Sequence, residues 1–283
     1  MSGEGTESSP YMIYDGSDLR KLAVRVNRGE KFTGKIFKMA SDVSIYGEYS
    51  YTWEPIGNSE DNYFDGTLYG EDCTVSWSVE QSDGYVGLFG YTGENSYIEG
   101  LNVTAGIYGE NGYVGGLVGC NNGMLLSCDV EGQILCDSGY CGGLVGSNFG
   151  SITDCWAHCN IWGTGVCGGM AGVNYGIISL GSYGVSPSQL YGSIVGGIVG
   201  DNFGTVCGDG RLRVTLGDAV ANEYLGLGVG INRESGAINQ CYFTIESYES
   251  LDAPYIGAYA GYNEGGSITD CINETDYPDI GYE

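Results

Sequence analysis

Hydrophobic positions recur in this chain as one repeated phrase, with no long helical stripe. Tyr85-Val-Gly-Leu-Phe-Gly90 returns as Tyr113-Val-Gly-Gly-Leu-Val-Gly119, Tyr140-Cys-Gly-Gly-Leu-Val-Gly146 and Val166-Cys-Gly-Gly-Met-Ala-Gly172. It continues as Ile194-Val-Gly-Gly-Ile-Val-Gly200, Tyr224-Leu-Gly-Leu-Gly-Val-Gly230 and Tyr255-Ile-Gly-Ala-Tyr-Ala-Gly261. The closing glycines lie 26 to 31 residues apart. Between phrases, apolar pairs stand three residues apart: Ile98/Leu101, Leu125/Cys128, Ile152/Cys155, Ile178/Gly181, Val206/Asp209, Ile238/Cys241 and Ile268/Cys271. Alternation then follows, as in Leu101, Val103, Ala105, Ile107 and in Cys155, Ala157, Cys159, Ile161. Period two marks strands with one buried face.

A repeat of about 28 residues accommodates three short strands and three corners, and stacked coils advance about 4.8 Å each. Seven phrases and two or three opening coils predict a rod on the order of 45 Å long. The expected fold is all-β, a right-handed parallel β-helix (β-solenoid) with a short N-terminal capping α-helix. The repeat carries no helical pattern, which excludes an α-solenoid, and its period is too short for propeller blades of about 40 residues.

Asn121, Asn148, Asn174, Asn202, Asn232 and Asn263 each follow a closing glycine by two residues, with another glycine soon after. Asparagine tolerates left-handed backbone and bonds its own turn, so Gly-x-Asn-x-Gly predicts a tight corner. Stacking predicts a ladder of side-chain amides, structural in role. The paired glycines predict sharp bending or close backbone approach, so a bulky residue at Gly142 or Gly143 is costlier than one on the outer face.

Residues 1–14 read as a flexible polar leader. Residues 15–83 read as a cap helix and irregular opening coils, continuous with the solenoid repeats of 84–283. In the cap, Ser17 or Asp18 is the expected N-cap; Leu19, Leu22, Ala23 and Val26 form the apolar stripe; Gly29 is the stop. The closing segment, Tyr277-Pro-Asp-Ile-Gly-Tyr-Glu283, shows no cap, and raw strand edges there invite end-to-end self-association.

Composition sharpens this picture. Fifty-two glycines among 283 residues, without a triplet period, fit tight coils and exclude collagen. Thirty-six acids against ten bases give a formal net charge of -26, which repels phosphate backbones and argues against nucleic acid. That charge attracts cations such as calcium, but no motif calls for a metal or cofactor. No apolar run reaches the roughly 18 residues of a membrane span, and no signal segment opens the chain.

Eleven cysteines in a chain with its own core do not form a disulfide scaffold. Stacking sets Cys141 on Cys167 and Cys128 on Cys155, where in-register side chains suit buried free thiols better than bridges.

Catalytic constellations are sparse. Asp209-Gly-Arg211-Leu-Arg213 brings an acid and two arginines together, with Asp218 and Glu223 beyond. A polysaccharide lyase or hydrolase would need such groups in a cleft, yet Asp209 stands at a core position where an arginine can pair it. A serine or cysteine triad needs a histidine, and His158 is the only one. Cys155 and Cys159 face inward and His158 outward, so they cannot share a zinc ion. The expectation is therefore a non-enzyme. Tyr85, Tyr113, Tyr140, Tyr224 and Tyr255 each precede an inward residue and should form an outward stripe that stacks on sugar rings or packs on a protein. Phe149, Tyr175 and Phe203 add a second row at the asparagine corner.

The Gly-Gly-Leu-Val-Gly phrase followed by asparagine, at 115–121 and 142–148, resembles the GLUG motif of bacterial surface proteins. So does the preamble: Leu19, Leu22-Ala23, Asn27, Gly29 and Phe32, then Trp53, Pro55-Ile-Gly57, Phe64, Gly66-Thr-Leu68 and Val86-Gly-Leu-Phe-Gly90. The resemblance covers roughly residues 15 to 275. It implies an adhesive or spacer module of a secreted or cell-surface protein; the tyrosine stripe would then meet a glycan or a host or bacterial surface protein, and the uncapped closing coil would allow assembly end to end. Some such segments accompany immunoglobulin-A-cleaving metalloproteases, whose His-Glu-x-x-His is absent here. The sixth and seventh phrases depart from the motif at Leu227, Gly228, Ala258 and Tyr259.

Overall fold

The computed structural model describes residues 1–45, 53–81, 84–181, 183–208, 213–214, 216–243 and 251–282. The chain winds into a parallel β-solenoid. Its strands fall into sheets of ten, fifteen and eight strands, with a separate two-stranded pair. One coil shows the plan. Met124–Leu126 joins the first sheet, Asp129–Cys136 and Tyr140–Gly142 join the second, and Val145–Asn148 joins the third. The next coil repeats this with 151–153, 156–163, 166–168 and 171–174.

Register sets like on like. Ile98, Leu125, Ile152, Ile178, Val206, Ile238 and Ile268 form one column. All but Ile268 are completely buried. Burial of each such side chain contributes roughly 1.5–3 kcal/mol, so the column is a main source of stability. The opening coils fill the same interior with rings: Phe37, Phe64 and Phe89 lie 5.7 and 5.2 Å apart, centroid to centroid.

The paired glycines bring two backbones together. A Cβ at Gly142 would sit 2.0 Å from the Val145 carbonyl oxygen, and one at Gly146 would sit 2.5 Å from Tyr113 backbone. The left-handed corner lies elsewhere than expected. No ladder asparagine has positive φ; Gly100, Ser127, Asp154, Gln240 and Asp270 do, at 48° to 61°. Gly100, Ser127 and Asp154 link the first sheet to the second, Gln240 and Asp270 link it to the two-stranded pair, and their small or polar side chains suit that conformation.

The cap helix, α1, spans Gly16–Val26, and its N-cap is Asp15 in place of Ser17 or Asp18. Asp15 is extended (φ -155°, ψ 173°) and its carboxylate accepts from the Asp18 N–H at 3.0 Å. Asp18, in the first turn, is buried and takes Lys21 and the Met1 ammonium. Leu19, Leu22, Ala23 and Val26 are buried, and Gly29 is left-handed at φ 97°. Residues 1–14 contribute more than a leader: Tyr11–Ile13 pairs parallel with Ile36–Met39, and Ile13 is fully buried.

The departing sixth and seventh phrases keep their register, with Leu225 on Ile256 and Val229 on Ala260. Phe243 occupies the space over Gly228 and packs on Tyr259, 5.5 Å between centroids. All eleven cysteines are free thiols, eight of them buried. Cys141 and Cys167 are register partners, and the Cys155 sulfur accepts the Cys128 N–H at 3.4 Å. Burial pushes the Cys120 thiol up to about 12 and raises Cys159 as well.

Candidate functional site

The asparagine ladder is the ruler on which the outer surface is laid. Asn121 Nδ2 donates to Asn148 Oδ1, Asn148 to Asn174, Asn174 to Asn202, Asn202 to Asn232, and Asn232 to Asn263, each at 2.9–3.0 Å. Thr92 Oγ1 supplies the first donor, and Asn263 closes the series on the Gly266 carbonyl. The Asn121, Asn148, Asn174 and Asn202 amides also bond their own turns, as Asn148 does at the Gly150 carbonyl, 3.3 Å away. Asn121, Asn148, Asn174, Asn202 and Asn232 are wholly buried.

The residue after each ladder asparagine is therefore fixed and points outward: Asn122, Phe149, Tyr175, Phe203, Arg233 and Glu264. The Phe149 and Gly150 N–H groups both donate to the Asn121 carbonyl. Phe149 and Tyr175 stack at 4.7 Å and 6°, and Tyr175 and Phe203 at 4.8 Å and 15°. Arg233 continues the stack, its guanidinium 5.5 Å from the Phe203 centroid. It is held there by Asp201 through two bonds, 2.7 and 2.9 Å, and by Glu264 at 3.2 Å. The Asp201 bonds push the Arg233 pKa above its ordinary value.

Beside this row runs an open groove of about 680 Å³. Its floor includes Gly123, Gly150, Gly176 and Gly204, and its far wall is the register column Met124, Ser151, Ile177 and Thr205. Phe149, Tyr175 and Ile177 are 50%, 44% and 50% exposed. This is a contiguous apolar strip on an otherwise acidic protein, rimmed by hydroxyls and by Glu94 at one end.

The tyrosine stripe differs from its expected form. Tyr85, Tyr113 and Tyr140 are in register and stack at 5.7 and 5.6 Å, both at 9°. Val166 and Ile194 interrupt the row, and Tyr224 and Tyr255 resume it at 5.6 Å. Only Tyr255 is exposed; the other four are half-buried. The outward row of the third sheet closes against them: Tyr91 meets Tyr85 edge-on at 5.0 Å, and Tyr262 meets Tyr224 at 5.2 Å. Tyr85 is tied further by its hydroxyl to Glu60 at 2.8 Å. Both aromatic rows stack ring on ring, but the tyrosine row is the more covered of the two, its first four rings half-buried where Phe149 and Tyr175 are exposed.

Asp209, Arg211 and the Arg213 side chain lie outside the described residues. Cys155 and Cys159 are buried while His158 is exposed. Among the described residues, no cluster of three or more His, Cys, Asp or Glu side chains could hold a metal ion, and no helix is long and apolar enough to cross a membrane. Sequence reading missed the groove wall at Ile177 and the role of Arg233. The signal for Arg233 was its place directly after a ladder asparagine, where stacking continues the ring row.

No family model matches the chain. A protein of Evansella cellulosilytica, provisionally named a Gly-rich membrane protein, is 33% identical over 137 residues, covering 46% of this chain and 15% of that protein. Halomucin of Haloquadratum walsbyi is 33% identical over 138 residues, covering 47% of this chain and 2% of halomucin. The chain thus aligns with only a small part of each relative. A crystal structure from Bacteroides ovatus, provisionally assigned as an immunoglobulin A1 protease, superposes with a TM-score of 0.64 over 94% of this chain and 86% of that one. At 19% identity the two share a fold, and the chain is a glycine-rich β-solenoid repeat protein.

Proposed function

We propose that this chain is a GLUG-type repeat module of a secreted or surface-attached protein. In this reading it binds a glycan or a surface protein along the Phe149–Tyr175–Phe203 groove. The cap and opening coils of 15–83 and the repeats of 84–283 act as one continuous domain that holds the groove rigid. The carrying observation is the exposed apolar strip beside a glycine floor, built on a fully bonded ladder. A patch of this kind rimmed by polar groups is the usual mark of an interaction site. The names of the two relatives, one provisionally a Gly-rich membrane protein and the other halomucin, support a surface setting. The charge of -26 favours neutral or cationic partners over acidic ones.

The test is retention of the intact chain on glycan arrays and on immobilised surface-protein extracts. Replacing Phe149 and Tyr175 by serine should weaken retention at least tenfold while leaving the fold intact. Replacing Tyr113 and Tyr140 by serine should lower thermal stability and leave retention unchanged. Equal retention by the Phe149/Tyr175 variant would rule out the groove.

A further inference from the structure

The long face of the second sheet carries a different chemistry. His158, the only histidine, stands exposed on Trp156–Gly163. The coil above supplies Ser186, whose Oγ lies 2.6 Å from His158 Nδ1. The contact depends on an irregularity in the stack. Ala157 pairs with Val185 and Ile161 with Leu190, so the upper coil holds one extra residue between matched positions. The resulting bulge, Ser186-Pro-Ser188, re-aims its side chains, as bulges beside functional sites do.

Asn160 fills that bulge. Its Oδ1 accepts from the Ser188 and Gln189 N–H groups, both at 3.1 Å. The amide nitrogen is thereby turned away from them and has no acceptor among the described residues. It stands two residues along from His158, ~7 Å on the same face. Below His158 lies Glu131, its register partner, and Asp129 sits beneath Trp156. Asp129 Oδ1 is buried without a hydrogen-bond partner. The Trp156 ring meets the imidazole edge-on at 5.7 Å and limits its swing.

We propose that Ser186, His158 and Asn160 form an acyl-transfer site for ester groups displayed on a larger molecule. With the ring proton on Nε2, the serine hydroxyl donates to Nδ1. Oγ then adds to the ester carbon while its proton passes to Nδ1, and the carbonyl electron pair becomes an oxyanion that the Asn160 amide can meet. Collapse of the adduct breaks the bond to the alcohol oxygen, which leaves with the proton held on His158. Water repeats the sequence on the acyl-serine and releases a carboxylic acid. Glu131 and Asp129 lie where they stabilise the transient imidazolium. The site is open and flat, so it provides little binding for a free small ester and suits one that projects from a polymer.

The intact chain should take a fluorophosphonate probe on Ser186, located by peptide mass spectrometry, and should turn over p-nitrophenyl acetate. Ser186→Ala and His158→Gln should each abolish labelling and lower turnover at least tenfold, with circular dichroism unchanged. Asn160→Asp, which keeps an acceptor for the Ser188 and Gln189 N–H groups and removes the amide donor, should keep the label yet slow turnover severalfold. Ser186→Cys should react with iodoacetamide at least fivefold faster than the same variant carrying His158→Gln, a comparison independent of the oxyanion step. An adduct on another residue, no adduct, parental turnover in Ser186→Ala, or equal alkylation of the two cysteine variants would overturn the assignment. None of these readouts involves the aromatic groove, so failure here leaves the binding function standing.

Discussion

Asp129 is a carboxylate in an awkward place. It lies below Trp156, half-buried, with one oxygen lacking a partner. Burial raises its pKa above the ordinary carboxylate range; the charge of His158 opposes that rise, and Glu131 adds to it. The folded state therefore holds the Asp129 proton more tightly than the unfolded state, and stability is lost as pH rises from the unfolded pKa through the folded one. Asp129→Asn cannot ionise and escapes that loss. It should melt on the order of a degree or two higher than the parent at pH 7.5 and level with it at pH 3.5. Differential scanning calorimetry at both pH values checks this; a variant no more stable at pH 7.5 would contradict it. Such positions are hidden in a one-dimensional reading. The face of Asp129 was legible from alternation, but its cover depends on Trp156, which arrives 27 residues later. Ser186 escaped notice for the same reason, compounded by a one-residue bulge that breaks the repeat count.

At the scale of elements, the ladder is the feature that both reading and structure place at the same asparagines, because identical residues at identical repeat positions must meet when coils stack. The chain does turn at each asparagine, from the third sheet to the first, but without left-handed backbone: asparagine's tolerance of that conformation is a permission, and here its amide bonding along the axis is what the fold uses. The tyrosine row was half legible. Register was foreseeable, whereas cover by the neighbouring sheet depended on a corner angle that no local pattern encodes. Asn148 shows what the ladder contributes. It accepts from Asn121, donates to Asn174 and bonds the Gly150 carbonyl, all without contact with water. Asn148→Ala strands the Asn121 amide hydrogen and the Asn174 oxygen, at about 1–3 kcal/mol for each unsatisfied group. The expected loss is about 2–6 kcal/mol in denaturant unfolding. Asn263→Ala, at the open end of the series, should cost clearly less. Equal costs would show that the amides act singly and not as a chain.

Across the whole molecule, charge is divided by position. Seven of the ten basic residues lie between Arg20 and Lys38, while thirty-one of the thirty-six acids follow them. Among the described residues the cap end holds most of the ion pairs, including Lys21 with Asp18, Arg25 with Glu30 and Lys38 with Glu71, and the long body is left to repel itself. Salt acts on these two regions with opposite sign. Screening weakens the exposed cap pairs, each worth only about 0–1 kcal/mol, and relieves repulsion spread over the body. The Debye length shortens from about 30 Å at 0.01 M to about 3 Å at 1 M, from most of the rod's length to less than one coil spacing. Body repulsion has many more members than the cap has pairs, so relief should dominate. Raising sodium chloride from 0.01 to 0.5 M should lift the melting temperature by on the order of 5 °C, with most of the gain below 0.2 M. Calcium at equal ionic strength should add nothing if the acids act as a diffuse coat, since the described carboxylates form no cluster able to chelate it. A melting temperature that falls with salt would place the governing electrostatics in the cap.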